Sequence, residues 1–251
     1  MEHTFEPRAR WMRYLPLWAR DRVEVNVYLL TRLLRAAAAD LPGDSLVLDA
    51  GAGEGRFKPL FRHTRYVGVD LAVGDVTWDY SDLDAICKLE QLGLASDTFD
   101  AVVCTQVLEH VAEPFLVLQE LFRVLKPGGK IILSAPQSWA AHQIPHDFFR
   151  YTEYGLRYLL EKAGFVVDEI KPQGGYFWFL SFQVQNLVYW LFSRNPLLSR
   201  HKRLLLLPRL VGVLTFQILI PLLLFYLDPL DHVKEETFGH VCFAHKPAPA
   251  T

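Results

Sequence analysis

The chain has 251 residues with 26 basic and 28 acidic side chains, and this near balance excludes the broad positive field of a general nucleic-acid binder. Hydrophobic residues make up 51% and charged residues 22%, which excludes a disordered chain. Three scattered cysteines, Cys87, Cys104 and Cys242, form no CxxC pair and indicate free thiols in a reducing compartment. The first twenty residues lack an uninterrupted apolar stretch, so we expect no secretory signal and a cytoplasmic protein.

Short apolar runs alternate with helical patterns between residues 44 and 172, which is typical of βαβ units and a parallel sheet. A helix is predicted over residues 21–40, ahead of the first strand. The predicted strands are 45–50 (SLVLDA), 66–70 (YVGVD), 100–105 (DAVVCT), 130–135 (KIILSA) and the run FVVDEI after Gly164. One helix begins at Glu113-Pro114 and is closed by Pro127-Gly128-Gly129, and a second is capped by Thr152.

The composition changes after Gly174-Gly175. Residues 176–192 are rich in aromatic side chains, 193–203 form a polar, basic stretch, and 204–227 are almost entirely aliphatic. The last of these is long enough to cross a bilayer, but the predicted final strand at 237–246 must return to the sheet, which argues against a single crossing. Two interpretations stay open: a segment that lies on a membrane surface, or an extra helical layer buried against the sheet, a second subunit or an apolar substrate.

A glycine-rich loop, DAGAGEG at residues 49–55, directly follows the first predicted strand and is expected to open a helix. Glycines allow the backbone to turn tightly and to approach a ligand closely. Asp70 ends the next strand, where its carboxylate can accept two hydrogen bonds from ribose hydroxyls. The GxGxG spacing differs from the GxGxxG of dinucleotide sites, and Glu54 would repel a pyrophosphate. The expected ligand is therefore a nucleoside without phosphates.

Four ordered motifs resemble the class I S-adenosylmethionine-dependent methyltransferases of the type 11 group. They are LVLDAGAGEGRF (46–57), YVGVDL (66–71), FDAVVCTQVLEHV (99–111) and RVLKPGGKIILSAP (123–136). The resemblance runs from about residue 45 to 172 and resumes at 237–246. It implies S-adenosylmethionine as cofactor and leaves the substrate open, because this group methylates sugars, quinones, lipids and polyketides.

The resemblance also implies the cofactor-binding residues. Asp49, Gly51, Ala52, Gly53 and Gly55 would surround the methionine end and the ribose. Asp70 would take the ribose hydroxyls with Leu71 beside the adenine, and Thr105 and Gln106 would line the sulfonium. Lys88 and Gly93 stand where relatives often have an aspartate and a proline. Adenine is therefore expected to rely on the backbone around Leu89 and Glu90.

Histidines are the candidates for the catalytic base, because an oxygen or nitrogen nucleophile benefits from a base that titrates near pH 7. His110, His142 and His146 all follow predicted strand ends, on the edge where such sheets hold their sites. His146 precedes the capped helix and is the first choice, with His110 as the second catalytic residue.

The segment Gln106-x-x-Glu109-His110 is similar to the E-x-x-E-H segment of small-RNA 2′-O-methyltransferases and ubiquinone-pathway O-methyltransferases. That similarity implies a divalent metal held by Glu109, His110 and a later histidine such as His146. On a helix, Gln106 and Glu109 would share one face. Gln106 replaces the first acid, however, and Mg²⁺ prefers carboxylate oxygens, so the sequence prediction includes no metal ligands.

The sequence as a whole predicts a Rossmann-like, doubly wound α/β fold: a seven-stranded, mostly parallel sheet with one antiparallel strand and a hydrophobic helical insertion near the C-terminus. We expect a single methyltransferase domain over 1–251, with an N-terminal helical region (1–43), a cofactor-binding core (44–175), the insertion (176–236) and the final strand (237–246).

The predicted function is methyl transfer from S-adenosylmethionine to a small, apolar or membrane-borne acceptor, most readily at oxygen. The alternatives are a non-catalytic cofactor-binding scaffold and a dinucleotide-dependent oxidoreductase. Expected partners are a small-molecule acceptor that could be lipid-like, and either a peripheral membrane contact or a homodimer through 176–230. No nucleic acid is expected. The predicted location is the cytoplasm, with association with the inner face of a membrane as a further option.

Overall fold

The structure is a computed structural model of the chain, and it describes residue 12 and residues 14–74, 78–191 and 205–249. The basic stretch predicted at 193–203 lies outside the described residues. The described residues cluster into two compact units. The first unit contains Leu30–Pro172 together with the chain from Gly239 onward, and the second contains the chain up to Leu29 together with Gln173–Phe238. The assignment of the whole chain to a single methyltransferase domain stays a prediction.

The first unit is built on one sheet, which has seven strands within the described residues, in the order β3-β2-β1-β4-β5-β7-β6. The strands are β1 (Leu46–Ala50), β2 (Arg65–Asp70), β3 (Ala85–Ile86), β4 (Phe99–Thr105), β5 (Leu125–Pro136), β6 (Val166–Pro172) and β7 (Gly239–His245). β1 to β5 pair in parallel, and β7 runs antiparallel between β5 and β6. The predicted sheet, with its one antiparallel strand, is confirmed.

Helices cover both faces of this sheet, as the continuous apolar runs of its parallel strands require. On one face, α3 (Pro114–Val124) and α4 (Glu153–Lys162) contribute fully buried leucines such as Leu121 and Leu160. On the other face, α2 (Val25–Ala39) packs Leu34 against the strands. The Thr152 cap of α4 is confirmed, because its Oγ1 accepts a hydrogen bond from the Gly155 N–H at 3.1 Å.

Three local expectations differ from the structure. The helix predicted over 21–40 is two helices, α1 (Leu17–Val23) and α2, with Glu24 between them in non-helical geometry. The glycine loop does not open an α-helix: turns lead to a short 3₁₀ helix at Lys58–Phe61, since three glycines at positive φ cannot continue a helical backbone. The residues Pro127-Gly128-Gly129 do not close α3, which ends at Val124. They form an irregularity inside β5, where Gly128 has φ 78°.

The second unit is helical. It contains α1, α5 (Tyr176–Tyr189), α6 (Leu206–Gly212), a π-helical stretch (Val213–Leu219), α7 (Ile220–Leu227) and a 3₁₀ turn (Asp228–Leu230). Asp228 is buried and connects the start of α5 to the segment that follows α7. Its carboxylate accepts from the backbone N–H groups of Gly175 and Trp178 at the start of α5, and from Lys234 Nζ at 2.7 Å. The predicted hydrophobic helical insertion is therefore present and internally connected.

Candidate active site

The glycine loop lies at the carboxyl end of β1 and takes a shape that only glycine accepts without strain. Gly51, Gly53 and Gly55 have φ values of 82°, 55° and 68°, in the left-handed region that other residues avoid. A Cβ on Gly51 would overlap the side chain of Val107. The N–H groups of Gly51 and Ala52 donate to the Val69 carbonyl at the end of β2. The loop is therefore fixed between the ends of β1, β2 and β4.

Asp70 ends β2 and holds this loop from the other side. Its Oδ2 accepts from the Gly53 N–H at 3.0 Å and its Oδ1 accepts from the Ala72 N–H at 2.7 Å. Each carboxylate oxygen can accept more than one hydrogen bond, so both oxygens keep acceptor capacity for a ligand. The neighbouring Leu71 side chain is exposed. Whether Asp70 binds a ribose stays a prediction.

Asp49 is almost fully buried at the end of β1. The Tyr66 hydroxyl donates to its Oδ2 at 2.6 Å, whereas its Oδ1 has no partner among the described residues. Burial, with a smaller contribution from the nearby Asp70 charge, raises the pKa of Asp49 to about 7. A buried acceptor without a donor is costly, so Oδ1 is prepared for a donor from a ligand. Tyr66 was missed by the sequence analysis because only the strand pairing brings it to Asp49.

The remaining predicted cofactor residues lie at the ends of β4 and after β3. Thr105 is buried, and Gln106 has φ 57° with its side-chain Nε2 donating to Ser134 Oγ at 3.1 Å. Leu89 is buried in the core while Glu90 is partly exposed. Their roles in binding stay predictions.

A second group of titratable side chains follows β4. Glu109 and His110 lie on a 3₁₀ helix, Leu108–His110, and Gln106 precedes it. The expectation that Gln106 and Glu109 share one face of a helix is wrong, because the positive φ of Gln106 interrupts the helix and turns its amide to Ser134. Glu109 has no exposed surface, and neither carboxylate oxygen has a partner among the described residues. Burial raises its pKa to about 8.

His110 lies next to Glu109 with its tautomer fixed by the backbone. The His146 carbonyl accepts a hydrogen bond from His110 Nδ1, so the lone pair of the neutral ring is on Nε2. Nε2 is buried without a hydrogen-bond partner in the described residues, and it lies 3.8 Å from Glu109 Oε1. Burial lowers the pKa of His110 below its usual range. The ring is therefore neutral at pH 7 and can accept a proton.

The loop that carries the other two histidines is fastened to the same 3₁₀ helix. The N–H groups of Phe148 and Phe149 both approach the Glu109 carbonyl. Within the loop, Arg150 binds both carboxylate oxygens of Asp147 at 2.7 and 2.9 Å, and this contact lowers the pKa of Asp147. Asp147 also accepts from the His142 N–H at 3.0 Å. Asp147 and Arg150 are three residues apart in the sequence, but their spacing alone did not predict that they bind each other and shape the loop.

The structure brings His110 and His142 together and leaves the His146 side chain outside. The rings of His110 and His142 meet edge to face with centroids 4.6 Å apart. The side chain of His146 is exposed, and its ring lies 6.4 Å from the ring of Phe148. His146 thus reaches His110 through its carbonyl, and whether its ring takes part in catalysis stays a prediction.

Glu109, His110 and His142 could together hold a metal ion. One ligand atom from each lies within 4.8 Å of the other two, and imidazole with carboxylate suits several divalent metals. His142 takes the place that the sequence analysis gave to His146 in this alternative. The prediction of no metal is not tested by this geometry, and a chelator experiment below addresses it.

Comparison with known proteins assigns the fold and the family. The profile of a family described as "Methyltransferase domain" matches residues 48–133. A probable S-adenosylmethionine-dependent methyltransferase of Mycolicibacterium smegmatis is 34% identical over 135 residues, which cover 49% of this chain and 52% of that protein. The ubiquinone biosynthesis O-methyltransferase of Cereibacter sphaeroides is 31% identical over 172 residues, 56% of this chain and 67% of that protein. The chain belongs to the class I S-adenosylmethionine-dependent methyltransferases of the type 11 group.

The chain spans about half the length of the first curated relatives it matches. Among solved structures, the cyclase SpnF superposes with a TM-score of 0.56 at 20% identity, covering 97% of this chain and 85% of that one. A SAM-dependent methyltransferase from Archaeoglobus fulgidus superposes with a TM-score of 0.54 at 16% identity, covering 87% of this chain and 93% of that one. At such low identity these similarities show the fold alone. The family's cofactor is S-adenosylmethionine, and the site fits it: a glycine loop with no room for a Cβ at Gly51, an acid at the end of β2, and an orphaned buried oxygen on Asp49.

The raised pKa of Glu109 predicts a pH-dependent stability. In the unfolded chain a glutamate ionises near pH 4.3, whereas in the folded protein Glu109 stays protonated up to about pH 8. Between these values the folded state binds more protons, so the free energy of unfolding falls as the pH rises, by up to about 1.4 kcal/mol per pH unit for one proton. Glu109→Gln should therefore gain stability relative to the wild type between pH 5 and 8.

Urea unfolding of the wild type and Glu109→Gln at pH 5, 6, 7 and 8 measures this difference. Glu113→Gln, at an exposed glutamate in the same connection, is the matched control and should keep the wild-type pH dependence. If the free energies of unfolding of the wild type and Glu109→Gln change in parallel from pH 5 to 8, Glu109 is ionised in the folded protein. The assignment of a raised pKa to Glu109 would then be wrong.

Proposed function

We propose that this chain transfers a methyl group from S-adenosylmethionine to an oxygen of a small, apolar or membrane-borne acceptor. The observation that carries the proposal is that two groups follow the neighbouring strands β1 and β4. One is the glycine loop bonded by Asp70, and the other is the neutral His110 ring with its unpartnered Nε2. The side chain of Val107, three residues before His110, fills the space beside Gly51, so the two groups belong to one edge.

The residues that would hold the cofactor are those of this edge. Asp49, Gly51, Ala52, Gly53 and Gly55 would contact its methionine end and ribose, and Asp70 would accept from the ribose hydroxyls. Leu71 and the backbone at Leu89 and Glu90 would border the adenine, with Thr105 and Gln106 towards the sulfonium. The free acceptor positions of Asp49 and Asp70 support this assignment.

S-adenosylmethionine supplies an electrophilic methyl group on a positively charged sulfur. Displacement at that carbon is in line, so much of the rate comes from holding the two reactants in position. His110 accepts the proton of the attacking hydroxyl at Nε2, while its Nδ1–H stays bonded to the His146 carbonyl. Glu109, 3.8 Å from Nε2, keeps its own proton at pH 7, and its carboxyl oxygen can accept a hydrogen bond from the new Nε2–H of the imidazolium.

Two observations favour an apolar hydroxyl acceptor. A hydroxyl such as a phenol holds its proton up to about pH 10, so it needs a base, and His110 is the base available beside the glycine loop. The loop that is fastened to Glu109 exposes Ile144, Phe148 and Phe149, which offer an apolar lip to an acceptor. The relative of Cereibacter sphaeroides is named for O-methylation in ubiquinone biosynthesis, which is consistent with this chemistry.

An acceptor assay tests the proposal. Purified protein, methyl-labelled S-adenosylmethionine and a total extract of the source cells are incubated and partitioned between an organic and an aqueous phase. We expect label in the organic phase that hydriodic acid releases as methyl iodide, because this reagent cleaves O-methyl but not C-methyl groups. Label confined to the aqueous phase, or label that resists hydriodic acid, would contradict an apolar oxygen acceptor.

The location and organisation of the protein are part of the same proposal. We place the reaction in the cytoplasm, at the inner face of a membrane for an acceptor carried there, and assign residues 1–251 to one methyltransferase domain with the insertion 176–236. Supporting this arrangement, β6 and β7 flank the insertion and both belong to the sheet that carries the glycine loop.

A further inference from the structure

The helical second unit exposes an unusual amount of apolar surface. Its helix Leu206–Leu230 has 25 residues and a mean hydropathy of 2.3, and only 17% of its most apolar window is buried. By length and composition it is the one described helix that could cross a membrane. Large exposed apolar patches mark interaction sites. The exposed side chains run along the whole helix: Leu206, Leu207, Leu210, Leu214, Leu223 and Tyr226.

The opposite face of this helix is already occupied within the unit. Gly212, Pro221 and Leu224 are buried, and Phe225 stacks on Trp178 of α5 with ring centroids 5.3 Å apart. The Trp178 indole N–H also donates to the Phe225 carbonyl at 3.1 Å. A helix that packs one face on its own unit and leaves its other apolar face exposed presents a patch that a lipid interface would bury.

The rim of this surface has the residue types that favour a membrane interface. Tyr14, just before α1, and Leu17 and Trp18 in its first turn are exposed. Arg22 joins α1 to the apolar helix: its Nε donates to the Tyr226 hydroxyl at 2.8 Å, and its guanidinium lies 6.0 Å from the Trp18 ring and 5.6 Å from the Tyr226 ring. Tryptophan, tyrosine and arginine are enriched where protein meets headgroups. We define Leu206–Leu230 with Tyr14, Leu17 and Trp18 as the apolar face.

The charges of the segment indicate what kind of partner covers the apolar face. From Tyr176 to Leu227 the sequence contains no acidic residue and five lysines or arginines: Arg194, Arg200, Lys202, Arg203 and Arg209. A second copy of the chain, meeting the same segment in a symmetric dimer, would bring like charges together without a counter-charge from this segment. Anionic lipid headgroups supply that counter-charge and bury the apolar side chains at the same time.

A crossing of the bilayer fits less well than a surface position. β6 and β7 flank the segment and both pair within one sheet, so the chain must return to the side from which it left. A two-pass hairpin would carry the basic residues between Ser193 and Arg203 through the membrane, against the tendency of such residues to stay on the cytoplasmic side.

We propose that the apolar face docks on the surface of an anionic lipid bilayer. Docking on a membrane is a separate property from the methyl transfer proposed above. It rests on that proposal in one respect only: docking would give the enzyme access to a membrane-borne acceptor. The lipid surface is recognised by exposed leucines that enter the interface and by the exposed Arg209 of the same helix, which meets the headgroups. Each cationic side chain near such a surface strengthens binding about fivefold.

Flotation of the full chain with liposomes tests the proposal, without cofactor or acceptor, so the outcome is independent of catalysis. We expect co-flotation with vesicles of phosphatidylcholine and anionic phosphatidylglycerol, and much weaker flotation with phosphatidylcholine alone. Leu207→Gln/Leu223→Gln, at two exposed positions, should abolish flotation. Leu116→Gln/Val166→Gln changes two exposed apolar side chains of the first unit and should float as the wild type does.

A charge variant and a size measurement complete the test. Arg209→Gln, at an exposed position of the apolar helix, should lower the affinity for anionic vesicles about fivefold, as the loss of one charge predicts. Binding of S-adenosylhomocysteine by every variant verifies that the protein is folded. Failure to float, or equal flotation with neutral vesicles, overturns the proposal. A detergent-free dimer that Leu207→Gln/Leu223→Gln dissociates would also overturn it and would assign the apolar face to a second copy.

Discussion

Asp70→Ala should bind S-adenosylhomocysteine at least a hundredfold more weakly than the wild type. The carboxylate accepts the Gly53 N–H at 3.0 Å, and we propose that it also accepts the ribose hydroxyls. Hydrogen bonds to a charged group contribute about 1.5–3 kcal/mol each, so losing two of them costs about 3–6 kcal/mol, and each 1.4 kcal/mol is about tenfold in affinity. Isothermal titration of the purified variants measures the loss.

Two further variants sharpen this measurement. Asp70→Asn keeps one acceptor oxygen and should bind with intermediate affinity. Asp168→Ala removes an exposed aspartate of β6 whose partner is His245, so it should bind as the wild type does. Wild-type affinity in Asp70→Ala would remove Asp70 from the binding site and leave the glycine loop without its proposed ribose acceptor.

His110→Ala should lower kcat by a factor of about 10² to 10⁴, the usual contribution of a positioned base, while the affinity for S-adenosylhomocysteine stays at the wild-type level. His110→Asn should lose as much, because asparagine can still donate to the His146 carbonyl but cannot accept a proton at the position of Nε2. If His110→Asn keeps most of the activity, His110 is a positioning residue and not the base.

The pH profile gives an independent readout for His110. Burial lowers its pKa below the usual value of about 6.5. The neutral, proton-accepting form therefore dominates above that value, and kcat of the wild type should be level from about pH 6.5 upward and fall at lower pH. The variants at position 110 should lose this acidic limb. A wild-type rate that still rises steeply between pH 7 and 9 would contradict a base with a lowered pKa.

Control variants and a chelator separate the alternatives for the same site. His232→Ala changes an exposed histidine of the second unit and should leave kcat unchanged. A larger loss of kcat in His146→Ala than in His110→Ala would identify the His146 ring, the first choice from sequence, as the base.

Removal of divalent metal by a chelator should leave the rate unchanged. Loss of activity, restored by added metal, would show that Glu109, His110 and His142 hold an ion.

The sequence predicted the parts of this protein that depend on local pattern. Alternating apolar runs located the long strands. The pattern also placed Asp70 at the end of the strand after the glycine loop, where it accepts a hydrogen bond from that loop. The final strand, residues 237–246 in the prediction, is Gly239–His245 and is antiparallel as expected. Thr152 caps its helix because a side-chain oxygen before an apolar stripe acts within three residues.

Contacts between residues far apart in the chain could not be predicted from the sequence. His146 was preferred as base for its place before α4, but the loop turns its side chain to solvent and its carbonyl to His110. The helix face expected to join Gln106 and Glu109 is absent, because Gln106 adopts a positive φ and bonds Ser134 across the strand pair. The burial of Glu109, which raises its pKa, arises from packing that no spacing rule contains.

A transfer assay with three proteins tests the central claim most directly. The wild type, Asp70→Ala and His110→Ala are each incubated with methyl-labelled S-adenosylmethionine and a total cell extract. We predict that the wild type forms S-adenosylhomocysteine and methylated acceptor in equal amounts, that Asp70→Ala fails to bind the cofactor, and that His110→Ala binds it without appreciable transfer. Cofactor binding by the wild type without any transfer would contradict the account and leave a non-catalytic scaffold; binding of a nicotinamide cofactor instead would make the protein an oxidoreductase.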